Sequence, residues 1–283
     1  MLIDTHVHVW QPGDGHRVLI RERMSSLDAD FGFERLEPEL RPAGVGTVIL
    51  VSAAQSYQET RRLIGVAERW PDHVAGVIGF LDMEAEDFGQ QLAAACRDRV
   101  LAGLRLPLVV FDDPDWIRRP RVGAGLEALA ARGLVAQVLA APVHLAACAD
   151  VLGRYPDLKI VIDHAGNPGP LHREDPVWRE GLAALGRLPG AFCKVGDFSP
   201  PAGPRADEHR RAAVLREVAA CFGESRLIFG SNWPVCRLQY RYSEVVAELS
   251  ATAEHIGLDP ARLQRAMTAN AKHLYANSHP PGR

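Results

Sequence analysis

His6 and His8 stand two residues apart in "MLIDTHVHVW", residues 1–10. On a strand, positions i and i+2 point to one face, so the two imidazoles converge. Such a pair suits a divalent metal such as Zn²⁺; its bland alternative is two histidines satisfied within a packed face. Asp163-His164 follows the apolar run "KIVI" and offers a third imidazole, or a histidine bonded to a carbonyl or to the adjacent Asp. Arg105 lies in "GLRLP" (103–107). Arginine is rarely fully buried unless paired. At a strand end its two-pronged donors could hold a carboxylate or polarise a carbonyl, or simply pair with a loop acid. Lys194 in "CKVGD" (193–197) is similar, and Asp197 follows three residues later, where a strand meets its loop. Gln137 and His144 flank the end of another apolar run; His144, at the head of a helix, reads as a surface residue.

The stretch "LIFGSNWPVC" (227–236) poses a chemical question. A short apolar strand runs into small and polar residues, the place where α/β enzymes set catalytic groups. The polar residue is Asn232, and an amide cannot take up a proton at neutral pH. Trp233 follows it directly. Arg237 and Arg241 lie just beyond, Arg237 within reach of the same mouth and Arg241 expected at the surface.

These residues must be positioned by strands. Eight runs rich in Val, Ile and Leu occur at 1–9, 46–52, 73–81, 101–110, 133–140, 158–166, 190–198 and 226–232. Most are nearly continuous in apolar residues, the pattern of strands buried on both faces of a parallel sheet. Helical spacing appears between them, at 56–70, 87–100, 122–133, 143–155, 177–188 and 207–223, and again at 242–257 and 259–276. Asp259 supplies an N-cap for the last, with Pro260 at its first position. Eight strands alternating with helices have the count of a single-domain (β/α)₈ TIM barrel over residues 1–283, in the α/β class. A doubly wound sheet would usually carry a Gly-rich phosphate loop after its first strand, and "DTHVHVWQPGDG" is not one. The stretch 10–45 is long for one connection and is expected to form a loop over the mouth, a candidate lid. The C-terminal helices span 242–276.

Composition narrows the partners. The chain has 283 residues, 47% hydrophobic and 24% charged, as in a globular protein with a sizeable core. A net charge of −3 argues against nucleic acid, which usually needs a basic face. No apolar run approaches a membrane span, and "MLIDTHVHVW" lacks the pattern of a signal peptide. Five widely spaced cysteines without a CxxC pair fit reduced thiols in the cytoplasm.

Taken in order, "DTHVHVW" (4–10), "GLRLP", "IDHAGNP" (162–168), "CKVGDF" (193–198) and "LIFGSNWPVC" resemble the amidohydrolase superfamily, in its amidohydrolase-2 group. That group includes sugar lactonases and 2-pyrone-4,6-dicarboxylate lactonase. The pieces fall on the right strands and span nearly the whole chain. The resemblance implies a (β/α)₈ barrel with its site at the C-terminal rim. It places the first-strand HxH at His6 and His8 and the sixth-strand His at His164. The eighth-strand Asp, the usual general base or a metal ligand, falls at Asn232. Two-metal members bridge their ions with a carboxylated Lys or a Glu on the fourth strand. Arg105 stands there instead, so the resemblance implies one metal or none.

The expected function is a hydrolase that opens a small lactone ring, of a sugar acid or a dicarboxylate, in carbohydrate or aromatic catabolism. His6, His8 and His164, with one Zn²⁺ or none, bind and polarise the ring carbonyl. Arg105, Lys194, Gln137, Trp233 and Arg237 contact substrate. Asn232 orients a water or binds the substrate, while Asp197 or a histidine takes the proton. One alternative is a metal-dependent decarboxylase or hydratase; another is a non-catalytic binding relative. The expected partner is a small-molecule lactone, without nucleic acid or membrane, and a homodimer is the expected assembly.

Overall fold

Eight short strands pair in parallel and in chain order: β1 (Leu2–Val7), β2 (Val45–Val51), β3 (Val74–Gly79), β4 (Leu101–Pro107), β5 (Val135–Leu139), β6 (Lys159–Ile162), β7 (Ala191–Gly196) and β8 (Leu227–Gly230). The structure is a computed structural model that describes residues 1–11, 24–168, 175–199 and 204–276. Between and after the strands run α1 (Phe33–Leu40), α2 (Tyr57–Arg69), α3 (Phe88–Ala95), α4 (Pro120–Ala130), α5 (Pro142–Leu152), α6 (Pro176–Gly186), α7 (Glu208–Phe222), α8 (Tyr242–His255) and α9 (Pro260–Ala276). This is the single-domain (β/α)₈ barrel that the alternating runs imply. Helix starts are fixed locally. Ser56 Oγ accepts the Glu59 amide at 3.1 Å, and Asp207 Oδ1 accepts that of Arg210 at 2.7 Å. Each such cap contributes about 1 kcal/mol. Among the described residues, no helix is long and apolar enough to cross a membrane.

The core has two parts, as a barrel requires. The larger lies between strands and helices; the smaller fills the barrel with Ile3, Ile49, Val51, Ile78, Val135, Val161 and Ile228 among others. Branched side chains suit this confined space. Ala271, Leu274 and Tyr275 of α9 join the inner cluster. Lys159 at the start of β6 donates to Leu274 O, and Asn270 donates to Leu227 O at the start of β8. Thus α9 seals the barrel at the N-terminal ends of its strands. The polar inward residues are left at the other end.

The β1 strand does not alternate simply. Ile3 and Val7 are four apart and should share a face, yet Ile3 belongs to the inner cluster and Val7 to the outer one. From Asp4 to Val7 β1 advances three residues while β2 advances two, from Val48 to Leu50. The extra residue is a bulge, which reverses the alternation. Without it His6 and His8 would face the helices. Beyond the end of β8, the barrel closes through backbone bonds from Asn232 N to His6 O, 3.0 Å, and from His8 N to Trp233 O, 2.7 Å.

Two sequence readings change. The stretch 10–45 is not only loop: 33–40 is helical, with Phe33, Leu36 and Leu40 buried. Their spacing carries the helical signal, and Pro38 inside the segment hides it. Residues 12–23, where the remainder of the expected lid falls, lie outside the described residues. His144 is not a surface residue either. It is buried, and its Nδ1 accepts the Ala141 amide at 3.0 Å, closing the start of α5.

Candidate active site

Asp163, one residue past β6, is the hub of the barrel mouth. Its Oδ1 lies 3.1 Å from Lys194 Nζ and 3.3 Å from His6 Nδ1. Its Oδ2 accepts from Gln137 Nε2 at 3.1 Å and lies 3.5 Å from Arg105 Nε. Asp163, Lys194, His6 and Gln137 are fully buried and Arg105 almost so. Each ion taken from water costs several kcal/mol, which such a cluster recovers only through pairing. Burial alone would raise the Asp163 carboxyl, but Lys194, His6 and Arg105 hold it well below its ordinary range. It is therefore an anion between two cations.

The backbone is strained where it delivers His164. His164, Ala165 and Asn167 have φ of 50°, 54° and 49°, left-handed values that cost non-glycine residues about 1 kcal/mol or more each. Two bonds hold the turn: Trp178 Nε1 donates to Ala165 O at 2.8 Å, and Asn167 Nδ2 to Ala140 O at 2.7 Å. The result sets the His164 ring 4.4 Å from that of His6, centre to centre.

The three histidines are neutral at pH 7. Burial, joined by Arg105, lowers His8 to about 3. Burial lowers His164 to about 4, against the pull of Asp163, and takes His6 well below its usual value. His8 Nδ1 lies 2.7 Å from Val51 O, so it carries the proton and leaves Nε2 with a lone pair. That Nε2 faces His6 Nε2 at 3.1 Å. Gly230 makes room for the arrangement, because a Cβ there would sit 2.7 Å from Lys194 Cδ and 2.8 Å from His6 Cβ.

Asn232 takes a left-handed conformation at φ 61°, which asparagine tolerates better than most residues. Its Nδ2 donates to Asp197 Oδ2 at 3.1 Å, and Asp197 Oδ1 accepts the Ser199 amide at 3.1 Å. Burial raises the Asp197 carboxyl to about 6, although both hydrogen bonds favour its anion. The site thus holds a carboxylate at the end of β7, beside an amide at the end of β8.

The other candidates are placed differently. Lys194 lies beneath the histidines rather than above them: Nζ donates to Thr5 O at 2.9 Å and is 3.2 Å from His6 Nδ1. Trp233 is fully buried, edge-on to Phe31 with ring centres 5.6 Å apart. Arg237 is in an exposed ion pair with Glu39 at 2.6 Å, and exposed Arg241 pairs with Glu244. Sequence reasoning omitted Asp163 from the site. Its signal was an acid set directly between an apolar strand and His164. It also gave no role to Asp4, which sits in the same motif as His6 and His8.

The donor set fits one divalent ion. His6, Asp163 and His164 each bring a ligand atom within 4.8 Å of the others, and His8 Nε2 adds a lone pair beside His6. If His6 Nδ1 donates to Asp163, the two facing Nε2 atoms both carry lone pairs, an arrangement that a cation between them relieves. Nitrogen donors of this kind suit zinc. Arg105 and Lys194 flank Asp163 where a second ion would need a bridging acid, so the residues fit one metal and not two.

Comparison with known proteins finds similarity over nearly the whole chain. The family model described as "Amidohydrolase" matches residues 3–276. A relative named L-fucono-1,5-lactonase, from Burkholderia ambifaria, is 33% identical over 99% of this chain and 97% of its own. A second L-fucono-1,5-lactonase, from Burkholderia multivorans, is 30% identical over 89% of this chain and 88% of its own. The crystal structure of an amidohydrolase from Burkholderia multivorans with bound zinc superposes with a TM-score of 0.89 at 28% identity, covering 99% of this chain and 100% of that one. From the histidine pair on β1 to the motif after β8, the chain belongs to the amidohydrolase family.

Proposed function

We propose that this protein hydrolyses a small sugar-acid lactone, with Asp197 as general base and Asn232 as the residue that orients it. It is a lactone hydrolase: water adds to the ring carbonyl, the ring C–O bond breaks, and a hydroxy acid leaves.

The observation that carries the choice of a sugar lactone over a dicarboxylate is the pairing of the cations. Arg105 and Lys194 both lie against Asp163, and Arg237 lies against Glu39. Asp163 offsets one of the two buried cations, and the remaining donors of Arg105 serve the ring carbonyl, so no further cation is left to hold the carboxylates of a dicarboxylate. Gln137 Oε1, by contrast, is buried and accepts no hydrogen bond among the described residues. A buried acceptor without a donor is costly, and a sugar hydroxyl would supply that donor.

The chemistry then follows from the side chains. Asp197, ionised above pH about 6, takes a proton from the attacking water. As the ring bond breaks, the same carboxyl returns that proton to the leaving ring oxygen, so the step balances. Asn232 Nδ2 keeps Asp197 Oδ2 in place throughout. Arg105 spends one donor on Ser52 O at 3.0 Å, and its guanidinium has others for the developing oxyanion. His6, His8 and His164 would hold a zinc ion, which when bound acts as a Lewis acid on the carbonyl. All five cysteines are free, which suits the reducing cytoplasm.

The test is a pH-indicator assay of the purified protein against a panel of sugar lactones and dicarboxylate lactones, corrected for spontaneous opening. Rapid acid release from a sugar lactone is expected. Release from dicarboxylate lactones alone would refute the charge argument. Silence on every ring, from folded protein supplied with zinc, would refute the hydrolase reading.

A further inference from the structure

The bulge that turns His6 and His8 inward needs a cause, because a regular β1 would pair with β2 without a break. Two of its backbone groups, the His6 amide and the Thr5 carbonyl, are taken by side chains. Asp4 Oδ1 accepts the amide of His6 at 3.1 Å, inside the bulge, and the amide of Ser231 at 2.9 Å, just past β8. The Tyr242 hydroxyl, at the start of α8, donates to Asp4 Oδ2 at 2.9 Å. Thr5 Oγ1 donates to Phe229 O at 2.6 Å, and Thr5 O receives Lys194 Nζ. Asp4 and Tyr242 are fully buried. One carboxylate therefore joins the bulge, the end of β8 and the first turn of α8. Ser231 Oγ in turn accepts the amide of Trp233 at 3.0 Å, so the same clamp sets the segment that carries Asn232.

We infer that Asp4 and Tyr242 are a positioning pair: they hold the β1 bulge, and through it the inward aim of His6 and His8 and the place of Asn232. Neither touches the reacting atoms. The pair acts on catalysis only through those residues, and this role rests on the reading of them as the active site. The energetic logic is that a bulge leaves an amide without a ladder partner. A buried unpaired amide is expensive, and Asp4 removes that cost for the bulged form alone.

The experiment compares Asp4→Ala, Asp4→Asn and Tyr242→Phe with the parent by two readouts. The first needs no substrate: the side-chain NMR signals of His6 and His8, above all the His8 Nδ1 proton bonded to Val51. The second is kcat and KM on a sugar lactone. Asp4→Ala and Tyr242→Phe are expected to shift or broaden the histidine signals. They should lower kcat by roughly 100-fold, the scale of a misplacement near 1 Å, with KM changed by less than about threefold. Asp4→Asn, whose carbonyl still accepts both amides, should recover to within roughly tenfold of the parent. If Asp4→Ala does not fold, Tyr242→Phe, which removes one hydroxyl, decides the matter. Folded variants with parental histidine signals and parental kcat would overturn the inference. If the parent opens no lactone, the histidine signals still decide it, so its failure is distinct from failure of the lactonase reading.

Discussion

The side-chain amide of Asn232 donates to the carboxylate of Asp197, Nδ2 to Oδ2 3.1 Å, across the ends of β8 and β7. The sequence lacks an acid at the end of β8, and the fold supplies one from the neighbouring strand. The amide takes no proton; it holds the carboxylate that we propose as the base. An acid at both positions would place two carboxylates within hydrogen-bond distance, and like charges so close do not both ionise.

Asp197→Asn removes the proposed base while keeping the shape. The expected loss in kcat is about 10²- to 10⁴-fold, the usual contribution of a positioned base. Stability carries a second signature. The carboxyl rises from its ordinary 3.8 to about 6 in the fold. The native state therefore binds more protons than the unfolded chain between those values, and the parent loses stability as pH rises through that window. The variant lacks this loss. Thermal unfolding at pH 5 and at pH 7.5 should show its melting temperature gaining on the parent's at the higher pH. A gap that moves the other way would contradict burial as the cause.

Asn232→Asp is expected to impair the enzyme. The new acid faces Asp197, so the pair holds one proton to a higher pH than Asp197 alone. Activity at pH 7 should fall and recover in part at alkaline pH. Measured rates across pH 5 to 9 check this. A variant faster than the parent at neutral pH would mean that Asn232 is a loss and not an adaptation.

Asp163→Asn leaves Lys194 and Arg105 buried without their anion. Breaking a buried pair from one side costs about 3–5 kcal/mol. Urea unfolding of parent and variant measures the difference. A change under about 1 kcal/mol would show that the cations have another partner.

Zinc should bind at no more than one equivalent per chain, and His8→Ala should weaken it, since His8 Nε2 faces His6 Nε2. Metal analysis after exchange into zinc-free buffer decides both points. Two retained equivalents would contradict the role given to Arg105 as the residue that excludes a second ion.

The barrel was legible because its strands are short apolar runs and its helices end at Gly, Pro or capping residues. Even Asp259 caps α9 as read, accepting the Ala261 amide at 2.9 Å. The α1 helix was hidden by Pro38. His6, His8 and His164 could be named from type and spacing, though the reason the first two face inward could not. Simple alternation from Ile3 points them outward, and only the register of β1 against β2 reveals the bulge. Lys194 and Arg105 read as substrate cations because a sequence does not show which acid they meet. Asp163 lies 58 residues beyond Arg105 and 31 before Lys194, and only the closed sheet brings the three together.

The central claim is that Asp197 is the base that the β8 strand lacks. The pH dependence of kcat/KM on a sugar lactone, for the parent and for Asp197→Asn, tests it most directly. The parent should lose activity as pH falls through about 6, where burial places the Asp197 carboxyl, and the residual activity of the variant should lack that limb. An acid limb at the same pH in both proteins would assign it to another group and contradict the account.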